Sequence, residues 1–296
     1  MLSAFSDNLY RLRALVSVRL DYTRVCLQEP GQQSPEDRAI QKSEDRLGST
    51  GSQPDLLLFF PSGQRPDSAG IAAAVAAIEG LNLVRDTPSE IASEETLWVE
   101  LQRDGLTYDC SGLTPGPANA MPDITRWLGS QPEGSLIPGS HIGLGLGPHI
   151  RAGQALLPIL RGLLKVAVDL AGSFEDCAGV CWLASRMAAD PKSLESMIAG
   201  GNGTGPLPIS WLMATHDTAE GHVVTEGLAY FSGQELRIRS GIAQYTSEAA
   251  LLALRLANQV IHMGGLEGSE RFTGPDGLVL TLEPSGDGGL IDVRRD

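Results

Sequence analysis

The sequence predicts an α+β fold, with mixed and antiparallel sheets and helices packed on them. Three observations carry that expectation. Short apolar runs end at Pro or Gly, as buried strands do. Asp104-Gly105 sits between two apolar runs, as a hairpin turn does. Segments of helical period fall among meandering strands rather than alternating with them one for one, which disfavours a doubly wound parallel sheet.

The elements follow in order. Residues 1–53 read as a disordered extension. A short amphipathic stretch from Tyr10 to Leu20 is followed by polar, Gly-, Ser- and charge-rich sequence. Such sequence buries too little surface to offset its ordering entropy. Leu56–Phe60 is a buried strand closed by Pro61. Asp67 or Ser68 caps a helix to Ile78 that Gly80 closes, and Leu81–Arg85 is a second strand. Leu97–Leu101 and Leu106–Asp109 form the hairpin, and Asp123–Leu128 is expected to be helical.

His141–Leu146 is a strand, and Ile150–Leu170 reads as one long helix that Pro158 kinks or weakens. Gly179–Ala184 is a strand. Asp190-Pro191 starts a helix, with a capping carboxylate and Pro at its first position, and Gly200-Gly201 ends it. Ile209–Thr215, His222–Glu226, Leu228–Phe231 and Glu235–Arg239 are expected as strands. A helix from Thr246 to His262 stops at Gly264-Gly265, and Leu278–Glu283 and Leu290–Val293 close the chain. The order suggests two related αβ halves in one body, residues 54–139 and 140–296.

Composition bounds function. The 296 residues include 42% hydrophobic side chains and carry a formal charge of −14, enough apolar sequence for a substantial core. An acidic surface repels phosphate backbones and anionic membranes, so neither nucleic acid nor membrane is an expected partner. The cysteines Cys26, Cys110, Cys177 and Cys181 are few and scattered, which fits a reducing compartment. No apolar run reaches the roughly 20 residues of a membrane span, and no secretory leader is apparent, so a cytoplasmic location is expected.

The motifs that carry common chemistries are mostly missing. Gly143-Leu144-Gly145-Leu146-Gly147 lacks the G-x-G-x-x-G spacing, and no G-x-x-x-x-G-K-[ST] occurs, so the glycines read as a strand that another segment approaches closely. There is no G-x-S-x-G elbow. Ser140 and His141 are strand neighbours and point to opposite faces. Cys177 and Cys181 read as buried thiols. His149 and His262 read as solvated.

No metal is expected. The one alternative is the hairpin tip where His216 and His222, flanking Asp217–Gly221, could face each other beside Asp217 and Glu220. Glu226 and Glu235 could do acid–base work if burial separated their pKa values.

The segment Val224-Thr225-Glu226-Gly227-Leu228-Ala229-Tyr230-Phe231-Ser232-Gly233-Gln234-Glu235-Leu236 is the most distinctive in the chain. Through Thr225, Gly227, Leu228, Phe231, Gly233, Glu235 and Leu236 it resembles a motif of a bacterial family known as domain of unknown function 4261. The similarity extends over roughly residues 140–263, with Trp211, His141 and Val180-Cys181-Trp182 as further points of likeness. The resemblance implies a fold and no activity. The motif residues can serve architecture, with Gly227 and Gly233 at tight backbone positions and Glu235 bonding amides across a turn. They can also serve binding, which makes His141, Thr225, Glu226 and Glu235 the candidate site residues.

The expected function is a non-catalytic interaction or regulatory protein of the bacterial cytoplasm, with no cofactor and an unknown protein or small-molecule partner. The alternative is a small-molecule hydrolase or transferase using His141, His216, Glu226 or Glu235.

Overall fold

The computed structural model describes residues 53–61, 63–86, 97–132, 140–199, 207–243, 245–273 and 277–296. The expected disorder of the N-terminal extension, except for its last residue Gln53, and the Gly200-Gly201 helix stop lie outside them. The fold is α+β, with two sheets and helices packed on both.

Leu56–Phe59 (β1) is buried along its whole length because strands pair with both of its edges and side chains cover both of its faces. Helix α1 (Ser68–Ala76) follows, and the Asp67 carboxylate caps it by accepting from Gly70 N (2.8 Å). Then come β2 (Asn82–Asp86), β3 (Trp98–Arg103) and β4 (Leu106–Ser111). Asp104 (φ +50°) and Gly105 (φ +77°) both take the left-handed conformation that a two-residue hairpin turn requires.

Next are β5 (Arg126–Leu128), β6 (His141–Leu146), α2 (Leu157–Ser173), β7 (Gly179–Trp182), β8 (Met187–Ala189) and α3 (Pro191–Ala199). The eight strands form one sheet in the order β2-β3-β4-β6-β1-β7-β8-β5, antiparallel except at β5–β8. Leu56, Leu58 and Val180 face the main core with Leu160, Leu163 and Leu164 of α2, while Leu57, Phe59 and Cys181 face a smaller cluster on the other side.

The remainder builds a second sheet. It contains α4 (Ile209–Leu212), β9 (Ala214–Asp217), β10 (Val223–Glu226), α5 (Ala229–Ser232), β11 (Glu235–Ile238), α6 (Thr246–Met263), β12 (Glu270–Thr273), β13 (Val279–Pro284) and β14 (Leu290–Arg295). Its order is β12-β13-β14-β11-β10-β9, with only β11–β14 parallel. One face carries Val223, Leu236, Ile238, Ile291 and Val293 against Ala253, Leu256, Ala257 and Val260 of α6. Period-two alternation puts His216, Glu226, Arg237 and Asp292 on the other face, which is polar.

Several expectations are corrected. The boundary expected at residue 140 is crossed by the first sheet, because β6 is the antiparallel partner of both β1 and β4. Asp123–Leu128 is not helical. Its apolar residues have helical spacing, but Ile124 and Trp127 pack on the small cluster of the first sheet. Trp127 lies where a Cβ on Gly179 would sit, 2.5 Å from Cη2, so that glycine admits the indole.

The long helix begins at Leu157 rather than Ile150, with Pro158 in its first turn, where no N–H is needed. Ile209–Leu212 and Ala229–Ser232 are helical turns, not strands. Strands β8 and β12 have too little apolar alternation to be read from the sequence.

Candidate functional site

The distinctive motif folds into β10, the turn α5 and the start of β11. The Glu235 carboxylate lies inside that loop and accepts the N–H groups of Gly227 (2.8 Å), Leu228 (3.2 Å) and Ala229 (3.0 Å). These are amides that a helical turn leaves without partners at its N-terminus. Thr225 Oγ1 donates to Glu235 (2.6 Å) and accepts from Leu236 N (2.7 Å). Thr225 is buried, so the hydroxyl and carboxylate form a closed knot.

Gly227 adopts φ +104°, and a Cβ there would lie 2.6 Å from the Leu212 carbonyl oxygen. Tyr230 and Phe231 of α5 pack on Trp182 of the first sheet, and the Tyr230 hydroxyl reaches the Asp55 carboxylate (3.3 Å). Asp55 is held by Arg151 (2.6 Å) and by Leu146 N (2.9 Å). Burial raises its pKa despite the opposing effect of Arg151.

Glu226 lies outside the knot, on the polar face. Arg186 from the β7–β8 turn donates to both carboxylate oxygens (2.5 and 3.0 Å), and His216 Nε2 donates to one of them (2.6 Å). Burial alone would raise the Glu226 pKa, but hydrogen bonds from Arg186 and His216 outweigh it and hold the carboxyl below its ordinary range. A carboxylate held ionised and bonded at both oxygens is a poor general acid.

Arg186 takes φ +54°, uncommon for a residue with a Cβ. Sequence reasoning missed it, because nothing local marks a turn arginine whose partner lies 40 residues on.

The other candidates stand apart. His141 is fully buried in the first sheet, edge-on to Phe59, with Nε2 on the Asn119 carbonyl (2.7 Å). Burial lowers its pKa, which the Asn119 bond opposes. His216 and His222 do not face each other. His216 is opposite Val224, while His222 is drawn to Ser240, whose N–H its Nδ1 accepts (3.0 Å). Among the described residues, no three His, Cys, Asp or Glu side chains gather as metal ligands would.

The strand glycines admit close neighbours. A Cβ on Gly143 would lie 2.6 Å from Asn119 Nδ2 and 2.7 Å from Pro54 Cβ, and one on Gly145 would lie 3.0 Å from the Gln53 carbonyl. That packing, rather than a phosphate, fills the space above them. Burial pushes the thiols of Cys110, Cys177 and Cys181 up to about 12, far from nucleophilic readiness at neutral pH.

The polar face also makes a pH prediction. Asp292 is paired with Arg237 (2.6 Å) and Arg239 (3.2 Å), and the Arg237 hydrogen bond chiefly lowers its pKa from 3.8 to about 2. A depressed carboxylate stabilises the fold above its unfolded pKa and loses that contribution as pH falls through the folded value. The Asp292 contribution, ~2 kcal/mol, is therefore expected to disappear between about pH 4 and pH 2. Urea denaturation of the parent and Asp292→Asn checks this. Their stability difference should shrink across that window, and a pH-independent difference would refute it.

No helix among the described residues is long and apolar enough to cross a membrane. No family model matches the chain, and no similar protein was found among curated proteins or solved structures.

Proposed function

We propose that the chain is a non-catalytic interaction or regulatory protein of the bacterial cytoplasm, related to the family of unknown function that its motif resembles. One observation carries this reading. The motif's polar groups are spent on the fold, with Glu235 taking three backbone amides and the Thr225 hydroxyl. Groups that act on a substrate need free valences or a poised pKa, and Glu235 and Thr225 have their bonding taken up within the loop.

The rival reading, a small-molecule hydrolase or transferase, has one observation in its favour, the direct His216–Glu226 contact (2.6 Å). It supplies a donor–acceptor pair beside an arginine, but both carboxylate oxygens are already engaged.

The test is quantitative co-purification from the native host with His216→Ala as comparison. The proposal expects one stoichiometric protein partner, retained by the variant. A turnover of any small molecule that His216→Ala abolishes while the fold persists would establish the rival.

A further inference from the structure

A shallow groove crosses the helix side of the first sheet, outside the motif. It consists of two clefts of about 590 and 600 Å³ that share Val168, Gly172 and Glu195. The first lies among the end of α1, the β3–β4 turn and α2, and the second continues past Phe174 toward the start of α3. Half-buried Ile78, Val168 and Phe174 form the apolar part of its floor. At Gly172 a Cβ would meet nothing within 4 Å, so the floor opens directly into free space.

The rim is acidic. Glu79, Asp104, Glu175 and Glu195 are exposed, and none makes an ion pair among the described residues. Six carboxylates line the groove against three cations, of which Arg103 Nη1 (2.6 Å) and Lys165 Nζ (2.5 Å) both bind Asp169 and Lys192 is exposed beside the second cleft. Helix α2 ends here at Ser173, adding the partial negative charge of its C-terminus. A partly apolar floor under an excess of carboxylates complements one kind of surface, an apolar stripe flanked by lysine and arginine. A helix can present both at once.

Resting on the reading of this chain as an interaction protein, we infer that this groove docks a basic amphipathic helix of a partner protein. Apolar side chains lie along Ile78, Val168 and Phe174, and cationic ones reach Glu79 and Glu195. A small-molecule ligand fits less well, because both clefts are wide open to solvent.

The experiment is calorimetric titration of the full chain with a leucine–lysine peptide of helical period and with its leucine–glutamate counterpart. The leucine–lysine peptide is expected to bind and the glutamate peptide is not. Combined Glu79→Lys and Glu195→Lys should weaken binding by at least about tenfold. Glu267→Lys, an exposed charge outside the groove, should leave it unchanged. Gly172→Trp should block the floor, and Gly172→Ala serves as its folding control, since alanine is the better helix former.

Equal losses from Glu267→Lys and the groove variants would mean diffuse charge attraction and overturn the proposal. So would undiminished binding by the groove variants, or no binding of the leucine–lysine peptide. Any of these leaves the co-purified partner untouched, so the groove can fail while the interaction reading stands.

Discussion

Replacing Gly227 with alanine is expected to destabilise the protein by about 2–5 kcal/mol, summing a left-handed backbone penalty and a packing clash. The backbone sits at φ +104°, where a Cβ crowds its own chain. The added methyl would also lie 2.6 Å from the Leu212 carbonyl oxygen and 3.1 Å from Ser185 Cβ. Neither neighbour yields easily. Leu212 is fully buried in the turn α4 beside Trp211, and the Ser185 hydroxyl is bonded to the Trp211 carbonyl (2.8 Å).

Gly233, six residues on, supplies the control. It has φ +74° but open space around its Cβ site, so Gly233→Ala should cost only the backbone penalty, about 1 kcal/mol. Urea denaturation of both variants separates conformation from crowding. Equal losses would show that the Leu212 contact contributes nothing.

Replacing Glu235 with leucine is expected to cost about 3–5 kcal/mol, because it strands several donors at once. The amides of Gly227 and Leu228 and the Thr225 hydroxyl would lose their acceptor, and each buried unpaired group costs about 1–3 kcal/mol. The half-exposed setting and access of water to Ala229 N keep the total below the simple sum.

Glu235→Gln should fall between, at about 1 kcal/mol, since its oxygen can still accept from Gly227 and Ala229 while its amide nitrogen faces the Leu228 N–H. A Glu235→Leu protein as stable as the parent would refute the architectural reading. It would return Thr225, Glu226 and Glu235 to the head of the binding candidates. The melting order parent, Gln, Leu is the signature of a structural carboxylate, whereas a site carboxylate commonly leaves stability unchanged or raised on removal.

These two residues show how far the chain could be read before folding. Gly227 and Glu235 stood out through the motif, and the suggestion that Glu235 bonds amides across the turn matches its hydrogen bonds. The same stretch hid its local structure. Leu228–Phe231 reads as a strand because Leu, Tyr and Phe favour strands. It folds as a turn because Glu235, later in the chain, supplies the acceptor that ends β10.

Asp123–Leu128 erred in the opposite direction, since helical spacing of apolar residues cannot reveal that Gly179 leaves room for Trp127. His216 and His222 failed as a facing pair by register, which the polar turn between them does not encode.

What the sequence determined by itself is what depends on near neighbours along the chain. That includes the α+β class, the buried run at Leu56, the Asp104-Gly105 hairpin, and the helix starts at Asp67 and Asp190-Pro191. Each rests on the conformational preference or capping bond of residues a few positions apart. Tertiary structure decided everything that joins distant segments. It placed β6 beside β1 across the expected domain boundary and set Arg186 on Glu226 and Arg151 on Asp55. It also brought α1, α2 and α3 together around one groove. Those pairings are fixed by burial and charge compensation between residues tens of positions apart, and no local pattern in the chain specifies which distant partner will arrive.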